Sequence, residues 1–260
     1  MTSVAFSTQI GELARRSVLR TARQPAQIVP ALIFPLFLVA VNTGGLDSAT
    51  QIPGFPTDSY LTFALAIPFI QGGLFATLNA GADLARDIES GFLNRLSLTP
   101  MSGAGLIVGQ LAGVLTLGII QAAIYLVVGL AAGAGFEAGL AGVPVLLALS
   151  MVILLAFGSV GTFLALRLGS GEAVQGMFPV LFVFLFFSSM ALPRDLIQTD
   201  WFQTVTDWNP VSYLIEGVRS LFIDGFDGEA LALGFGLAAI IGVVFLTASA
   251  AALRTRMGRT

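Results

Sequence analysis

Five charged side chains sit together in residues 83–100, DLARDIESGFLNRLSLTP: Asp83, Arg86, Asp87, Glu89 and Arg95. The chain as a whole is only 10% charged. Carboxylates and guanidiniums spaced this way make ion pairs and contacts with partners. Leu84, Ile88, Phe92 and Leu96 recur among them at helical spacing, the pattern of a short amphipathic helix. Such a helix could lie across a membrane surface and dock into a groove on a soluble partner. A solvated loop with a frayed helical turn is the other reading of the same residues. The chain has no His and no Cys, which excludes the usual zinc sites, Ser-His-Asp triads and thiol nucleophiles, and no metal site is expected. All its basic residues are arginine, so it has no P-loop lysine with which to hydrolyse nucleotide.

The elements that must position this segment follow from composition. Of the 260 residues, 56% are hydrophobic, and the mean hydropathy is +0.90. Apolar runs of about 20 residues recur, each the length of a membrane-spanning helix. The expected fold is therefore all-α and polytopic, a single transmembrane domain over 1–260. Its six spans fall at 27–41, 60–82, 104–132, 143–166, 177–192 and 229–253. The first is short and carries Pro30 and Pro35, so it must pack where neighbours can satisfy the freed carbonyls. Ahead of it, residues 1–26 form an amphipathic interfacial helix. Phe6, Ile10, Leu13, Ala14 and Val18 share one face, Arg15, Arg16 and Arg23 lie opposite, and Arg20 sits at the boundary. The piece RRSVLR looks like a twin-arginine export signal, but no small-residue cleavage site follows the short apolar run.

Arginine placement sets the expected orientation. Arg15, Arg16, Arg20, Arg23, Arg86, Arg95, Arg167, Arg254, Arg256 and Arg259 fall on one side of this six-span layout, and Arg194 and Arg219 on the other. Positive charge stays cytoplasmic, so both termini, the polar elbow at 83–103 and a second elbow at 167–176 are expected inside. Outside lies residues 193–228, too long for a tight turn and too amphipathic for a disordered loop. A short helix starting at Asp200 would carry Phe202, Val205 and Trp208 on one side. A break at Asn209-Pro210 would precede a second piece with Leu214, Val218 and Leu221 at helical spacing. Two readings stay open: a re-entrant hairpin dipping into the outer leaflet, or two helices at headgroup level anchored by Trp201 and Trp208. At i, i+3 on the second piece, Glu216 and Arg219 are expected to pair.

Phe178, Phe182 and Phe186 recur at i, i+4 on the fifth span, as an aromatic wall along a substrate path or dimer seam, or as lipid-facing or core packing. Gly105, Gly109 and Gly113 form a small-residue stripe on the third span, and Gly234, Ala238 and Gly242 another on the sixth. Both are expected to let helices approach closely within the chain. Gln71, Asn79, Gln110 and Gln121 are expected to hydrogen-bond between helices. No ionisable residue sits near the middle of any expected span, which argues against a proton- or sodium-coupled carrier.

Two separated motifs then carry a family resemblance. The run from Arg86 to Leu96 with Thr99-Pro100 behind it resembles the cytoplasmic loop of ABC-2 type transporter permeases. Leu192-Pro193, Trp208-Asn209-Pro210 and the stretch from Tyr213 to Arg219 are similar to that family's LP, NP and E-x-x-R ending. The nearest likeness is to small drug-efflux permeases of the daunorubicin-resistance type. In the tail of the fifth span, Ser188-Ser189-Met190 departs from the Gly-containing end common there.

The resemblance implies a half-transporter in the cell membrane, without cofactor of its own, that dimerises with a copy or a related permease. It would bind separate ATPase subunits that carry ATP and magnesium, and it implies no nucleic-acid partner. Leu84, Arg86, Asp87, Ile88, Glu89, Gly91, Leu96 and Pro100 would form the coupling helix on the ATPase, with a smaller contact at Glu172. Pro193, Asn209, Pro210, Glu216 and Arg219 would belong to an external gate. The function implied is ATP-driven export of an amphipathic or hydrophobic drug or lipid. A lipid-linked glycan exporter and a secondary transporter or channel are the alternatives.

Overall fold

Inside a bilayer the backbone has no water to bond, so apolar runs of this length fold as helices. The computed structural model describes residues 6–91 and 103–257, and its regular elements among these are all helical. They are α1 (Phe6–Ala22), α2 (Pro25–Leu46), a 3-10 turn (Asp47–Gln51), α3 (Tyr60–Ala64), α4 (Ile67–Glu89), α5 (Gly103–Ala131) and α6 (Gly139–Leu168). There follow α7 (Gly171–Gly176), α8 (Phe178–Phe186), α9 (Asp200–Trp208), α10 (Pro210–Ile223) and α11 (Gly228–Met257). Among the described residues, five segments are long and apolar enough to cross a membrane: Ile28–Gln51, Tyr60–Glu89, Ile107–Ala131, Gly139–Leu168 and Gly228–Arg256. The other expected span corresponds to the shorter apolar stretch Gly171–Phe186.

Helix α4 is the axis of the bundle. In its span 83% of the most apolar window is buried, against 17% for the spans of α2 and α11, which therefore lie at the periphery. Small residues make this possible, because helix association in a membrane depends on close packing rather than on hydrophobic transfer. A side chain at Gly161 of α6 would stand 2.0 Å from the Thr77 carbonyl, so only glycine allows that approach. Thr77 exploits it by donating its hydroxyl to the Phe157 carbonyl at 2.8 Å. On α11, Gly234 meets Gly217 of α10 and Gly242 meets Ala156 of α6. That stripe packs within the chain, as its pattern predicts.

Prolines decide where the helices need help. Pro35 has no N–H for the carbonyl of Ala31, four residues back. That carbonyl is taken instead by the Tyr125 hydroxyl and by Gln121 Nε2 of α5, the latter at 3.3 Å. Pro68 likewise leaves Ala64 without its helical donor, and the chain breaks at Leu65–Ala66 between α3 and α4.

Three expected boundaries move by five residues or more. The first span does not stop at Val41, since α2 runs on to Leu46 before the 3-10 turn. The second does not stop at Ala82, because α4 continues through Asp83–Glu89 as one helix. The start of the polar elbow is therefore the end of a bundle helix, its aspartates held by arginines of α1. The fifth is shorter than 177–192, since α8 ends at Phe186 where side chains take over its last carbonyls.

Replacing Tyr125 by Phe removes the better donor from the Ala31 carbonyl. We expect a loss of about 1–3 kcal/mol, the cost of a buried group left short of a partner. Pro35→Ala supplies a backbone donor, so on that background Tyr125→Phe is expected to cost less than half as much. Thermal midpoints of the four purified proteins in detergent check this cycle, and an equal cost on both backgrounds would refute the account of the kink.

Candidate functional site

The expected site residues gather at the two ends of α4, which at 1.5 Å per residue are about 33 Å apart, with a groove between. At its C-terminal end Asp83 and Asp87 stand one turn apart and face α1. Arg16 donates to both oxygens of Asp87, at 2.9 and 3.4 Å, and Arg20 Nη1 reaches Asp87 Oδ1 at 3.1 Å. Asp83 Oδ1 has Arg20 Nε at 3.5 Å and Arg86 Nη2 at 3.4 Å, near enough for charge attraction but not aligned as hydrogen bonds. It borders a closed cavity of about 10 Å³ lined also by Ser17, Asn79, Gln110 and Gln121, the space of one water molecule.

This placement corrects several surface expectations. Leu84 is 2% exposed and packs with Ala85, Ile107, Leu111, Leu166 and Val174, and Asp87 is 4% exposed. Both point into the subunit, because α4 turns that face towards α1, α5 and α6. Arg16, assigned to the polar face of α1, bonds inward instead. Glu89 accepts the Gly171 N–H at 3.0 Å, so the second elbow is tied to the first. Gly91 has φ +67°, a left-handed turn suited to glycine that closes α4. Arg86 and Ile88 lie half-buried at the rim, and Glu172 is exposed on α7. Leu96 and Pro100, with Asn94, Arg95 and Thr99 of the motif, lie outside the described residues.

At the other end the expected Glu216–Arg219 pair is replaced by two separate arrangements. Glu216 takes Arg194 in a two-pronged bond, Nε at 2.8 Å and Nη2 at 2.6 Å, with the guanidinium 4.3 Å above the Tyr213 ring. Burial works against the Arg194 charge, but the Glu216 carboxylate outweighs it and holds the arginine pKa above its ordinary value. Arg219, 6% exposed, donates to the Phe63 carbonyl at 3.1 Å and to those of Ser189 and Met190 at 2.9 and 3.4 Å. Its carbon centre lies 3.6 Å from the Phe63 ring centroid. These carbonyls belong to the α3–α4 break and to the turn that follows α8. Helical spacing brought Glu216 and Arg219 together on paper, but Arg194 reaches the carboxylate from outside the helix.

Asn209 joins two helix ends. Its amide donates to the carbonyls of Phe184 and Phe187 at 2.6 and 2.7 Å, and its oxygen accepts the Val211 N–H at 3.0 Å. Pro210 follows at the first turn of α10, where its missing N–H costs nothing. The expected break at Asn209-Pro210 and the helix start at Asp200 are thus observed. Pro193 precedes the turn that carries Arg194. Trp201 and Trp208 are exposed.

Beside α4 runs an open groove of about 360 Å³, lined by Ala26 and Pro30 of α2, Phe75, Leu78, Asn79 and Ala82 of α4, and Gln175 and Phe178. Phe178 and Phe182 stack at 4.3 Å, and both meet Phe75, while Phe34 of α2 closes on Phe75 and Phe182. Phe186 continues the row, 6.3 Å from Phe182, and is exposed. Sequence reasoning missed the α4 and α2 side of this groove, although the small residues on α4 near Phe75 and Asn79 are its signal. Gln71 is fully buried with neither amide atom bonded, so the expected helix–helix bond is absent there.

The comparisons decide what such a bundle belongs to. The model of the ABC-2 type transporter family matches residues 8–223. This chain belongs to that family. A protein named as transport permease ycf38 from Porphyra purpurea is 30% identical over 218 residues, 82% of this chain and 74% of that one. The daunorubicin resistance ABC transporter permease protein DrrB1 of Streptomyces coeruleorubidus is 25% identical over 236 residues, 86% and 80% of the two chains. A doxorubicin resistance permease, DrrC, of Mycobacterium tuberculosis is 24% identical over 212 residues, 81% and 75%. The ABC-2 permease is a membrane subunit of an ABC transporter. It is not itself an enzyme, and ATP is hydrolysed in a separate ATPase subunit.

Double-mutant cycles test the rewired polar end. Glu216→Gln and Arg194→Gln are expected to be non-additive by about 1 kcal/mol in unfolding free energy, as contacting residues are. Glu216→Gln and Arg219→Gln, which share only a longer-range charge attraction, are expected to couple less strongly than that pair. Arg219→Gln alone strips charged donors from buried carbonyls and should cost about 3 kcal/mol or more. Strong coupling between Glu216 and Arg219 would restore the intrahelical pair.

Proposed function

We propose that this ABC-2 permease exports an amphipathic or hydrophobic molecule, a drug or lipid-like compound, using ATP and magnesium held by its partner ATPase. The observation that carries this reading is the groove beside α4. Its wall is Phe75, Phe178, Leu78 and Pro30 with the amides of Asn79 and Gln175 among them, and among the described residues no charged side chain lines it. Flat apolar surface with a few neutral hydrogen-bonding groups suits an amphipathic ring system better than a charged glycan. The names of DrrB1 and DrrC point the same way.

In this reading the segment 83–103 contacts the ATPase. Arg86, Ile88, Glu172 and the residues beyond Gly91 offer the contact, while Leu84, Asp87 and Glu89 hold that end of the subunit together. The chain crosses a cell membrane six times with both termini cytoplasmic, and Gly171–Phe186 with the turn after it makes the short fifth crossing. The α9–α10 pair then forms a re-entrant hairpin on the outer side, and Arg219, Asn209 and the Arg194–Glu216 pair set its position as an outer gate. A second permease, identical or related, closes the open side of the groove, against the exposed Ile33 and Phe37 of α2 and Val180, Val183 and Phe184 of α8.

Purification of the tagged chain in mild detergent is expected to retain an ATP-hydrolysing partner, and Arg86→Glu with Glu172→Arg to release it. Cells carrying the complex are expected to lose cell-associated daunorubicin fluorescence faster than cells without it, and Asn79→Leu and Phe178→Ala to slow this loss. A purified wild type without ATPase activity would overturn the reading. Single cysteines in this Cys-free chain report orientation: Ser90→Cys should label only after permeabilisation and Thr199→Cys in intact cells. The reverse pattern would invert the topology.

A further inference from the structure

Phe75, Leu78 and Ala82 line the groove from positions three and four apart on α4, so they share one face of that helix. Gln71 stands four residues before Phe75 and belongs to the same face, one turn nearer the α3–α4 break. It is fully buried, and neither its amide nitrogen nor its amide oxygen has a hydrogen-bond partner among the described residues. The open groove stops short of it. Helical side chains lean back towards the N-terminus, so the Phe75 ring lies over the turn that carries Gln71. Phe34 of α2 and Phe182 of α8 close edge-on against Phe75, with ring centres 6.1 and 6.4 Å away. Phe182 is buried, whereas Phe34 is 37% exposed on the peripheral α2 and is the least enclosed of the three rings.

We propose that Gln71 is a concealed hydrogen-bonding subsite, uncovered when Phe34 and Phe75 part, that takes a carbonyl or hydroxyl group of the molecule moving along α4. A buried amide without partners destabilises the shut state, and a group left so is explained by what it does in another state. Gln71 and Asn79 are eight residues apart, about 12 Å along the helix, with the Phe75 ring between them. A solute that bonds Asn79 and lays its rings against Phe75 therefore meets a second amide one step further on. An amide offers both donors and acceptors, so it suits neutral oxygen-bearing groups and needs no charge on the solute. Because Gln71 is unbonded while the rings are shut, the solute's hydrogen bonds there replace none within the protein. The nature of the solute rests on the export function proposed above, but the concealment of the amide does not.

The test is Gln71→Met, which nearly keeps the shape of the side chain and removes the amide, made in the full chain together with its ATPase partner. The thermal midpoint of the purified protein is expected to rise by a few degrees, since an apolar chain replaces an unpartnered amide. Daunorubicin efflux at matched membrane level is expected to fall several-fold in the same variant. Gln71→Cys is expected to resist a small thiol reagent, and to react several-fold faster when combined with Phe34→Ala. A midpoint that falls in Gln71→Met would make the amide a structural group with a partner of its own and overturn the inference. Unchanged daunorubicin efflux would overturn it as well, and so would labelling of Gln71→Cys that ignores Phe34→Ala. A wild type that exports no daunorubicin refutes the export function instead, whereas the midpoint and the labelling are read without any solute.

Discussion

Every break in a membrane helix leaves a carbonyl that only protein can satisfy, and this subunit is organised around collecting them. Pro35 frees the Ala31 carbonyl, and Tyr125 with Gln121 takes it. The α3–α4 break frees Phe63, and Arg219 takes it while also gathering two carbonyls at the end of α8. Asn209 takes two more. Each donor comes from another helix, so the breaks that would weaken single helices become the joints between them. The peripheral α2 and the short α8 are located by these bonds as much as by packing.

The same constraint explains which parts were legible in the sequence. The all-helical, multi-span character and the Asn209-Pro210 break were readable because hydropathy and proline act locally. The α11 stripe was readable because glycine spacing needs only one helix. The partners of polar residues were not. Glu216 and Arg219 share a helix face, but Arg194 arrives from a separate turn, and carbonyl acceptors leave no mark in side-chain patterns. For Arg16 and Asp87, about seventy positions apart in the chain, helical spacing on either element cannot show that they meet.

The charged segment at the end of α4 shows the point in another way. A row of charges beside an apolar stripe has the outline of a free amphipathic helix. Leu84 and Asp87 instead belong to α4, since the arginines of α1 let the carboxylates stay on a buried face. The expectation of a surface contact narrows to Arg86, Ile88 and the residues beyond Gly91. Whatever docks there meets a base already braced by α1 and, through Glu89 and Gly171, by α7. Its contacts therefore bear on three elements, α4, α1 and α7, rather than on a lone loop.

Asn209 carries a consequence for the durability of the protein. Asparagine side chains age by attack of the next residue's backbone nitrogen on their amide, a ring closure that ends in aspartate. At Asn209 that nitrogen belongs to Pro210, which has no hydrogen to lose. The side chain that clamps α8 to α10 is thereby shielded from this chemical clock. Conversion to aspartate would remove both donors to Phe184 and Phe187 and set a negative charge against the carbonyl end of α8. The proline that starts α10 thus also preserves, over the lifetime of the molecule, the amide on which the joint depends.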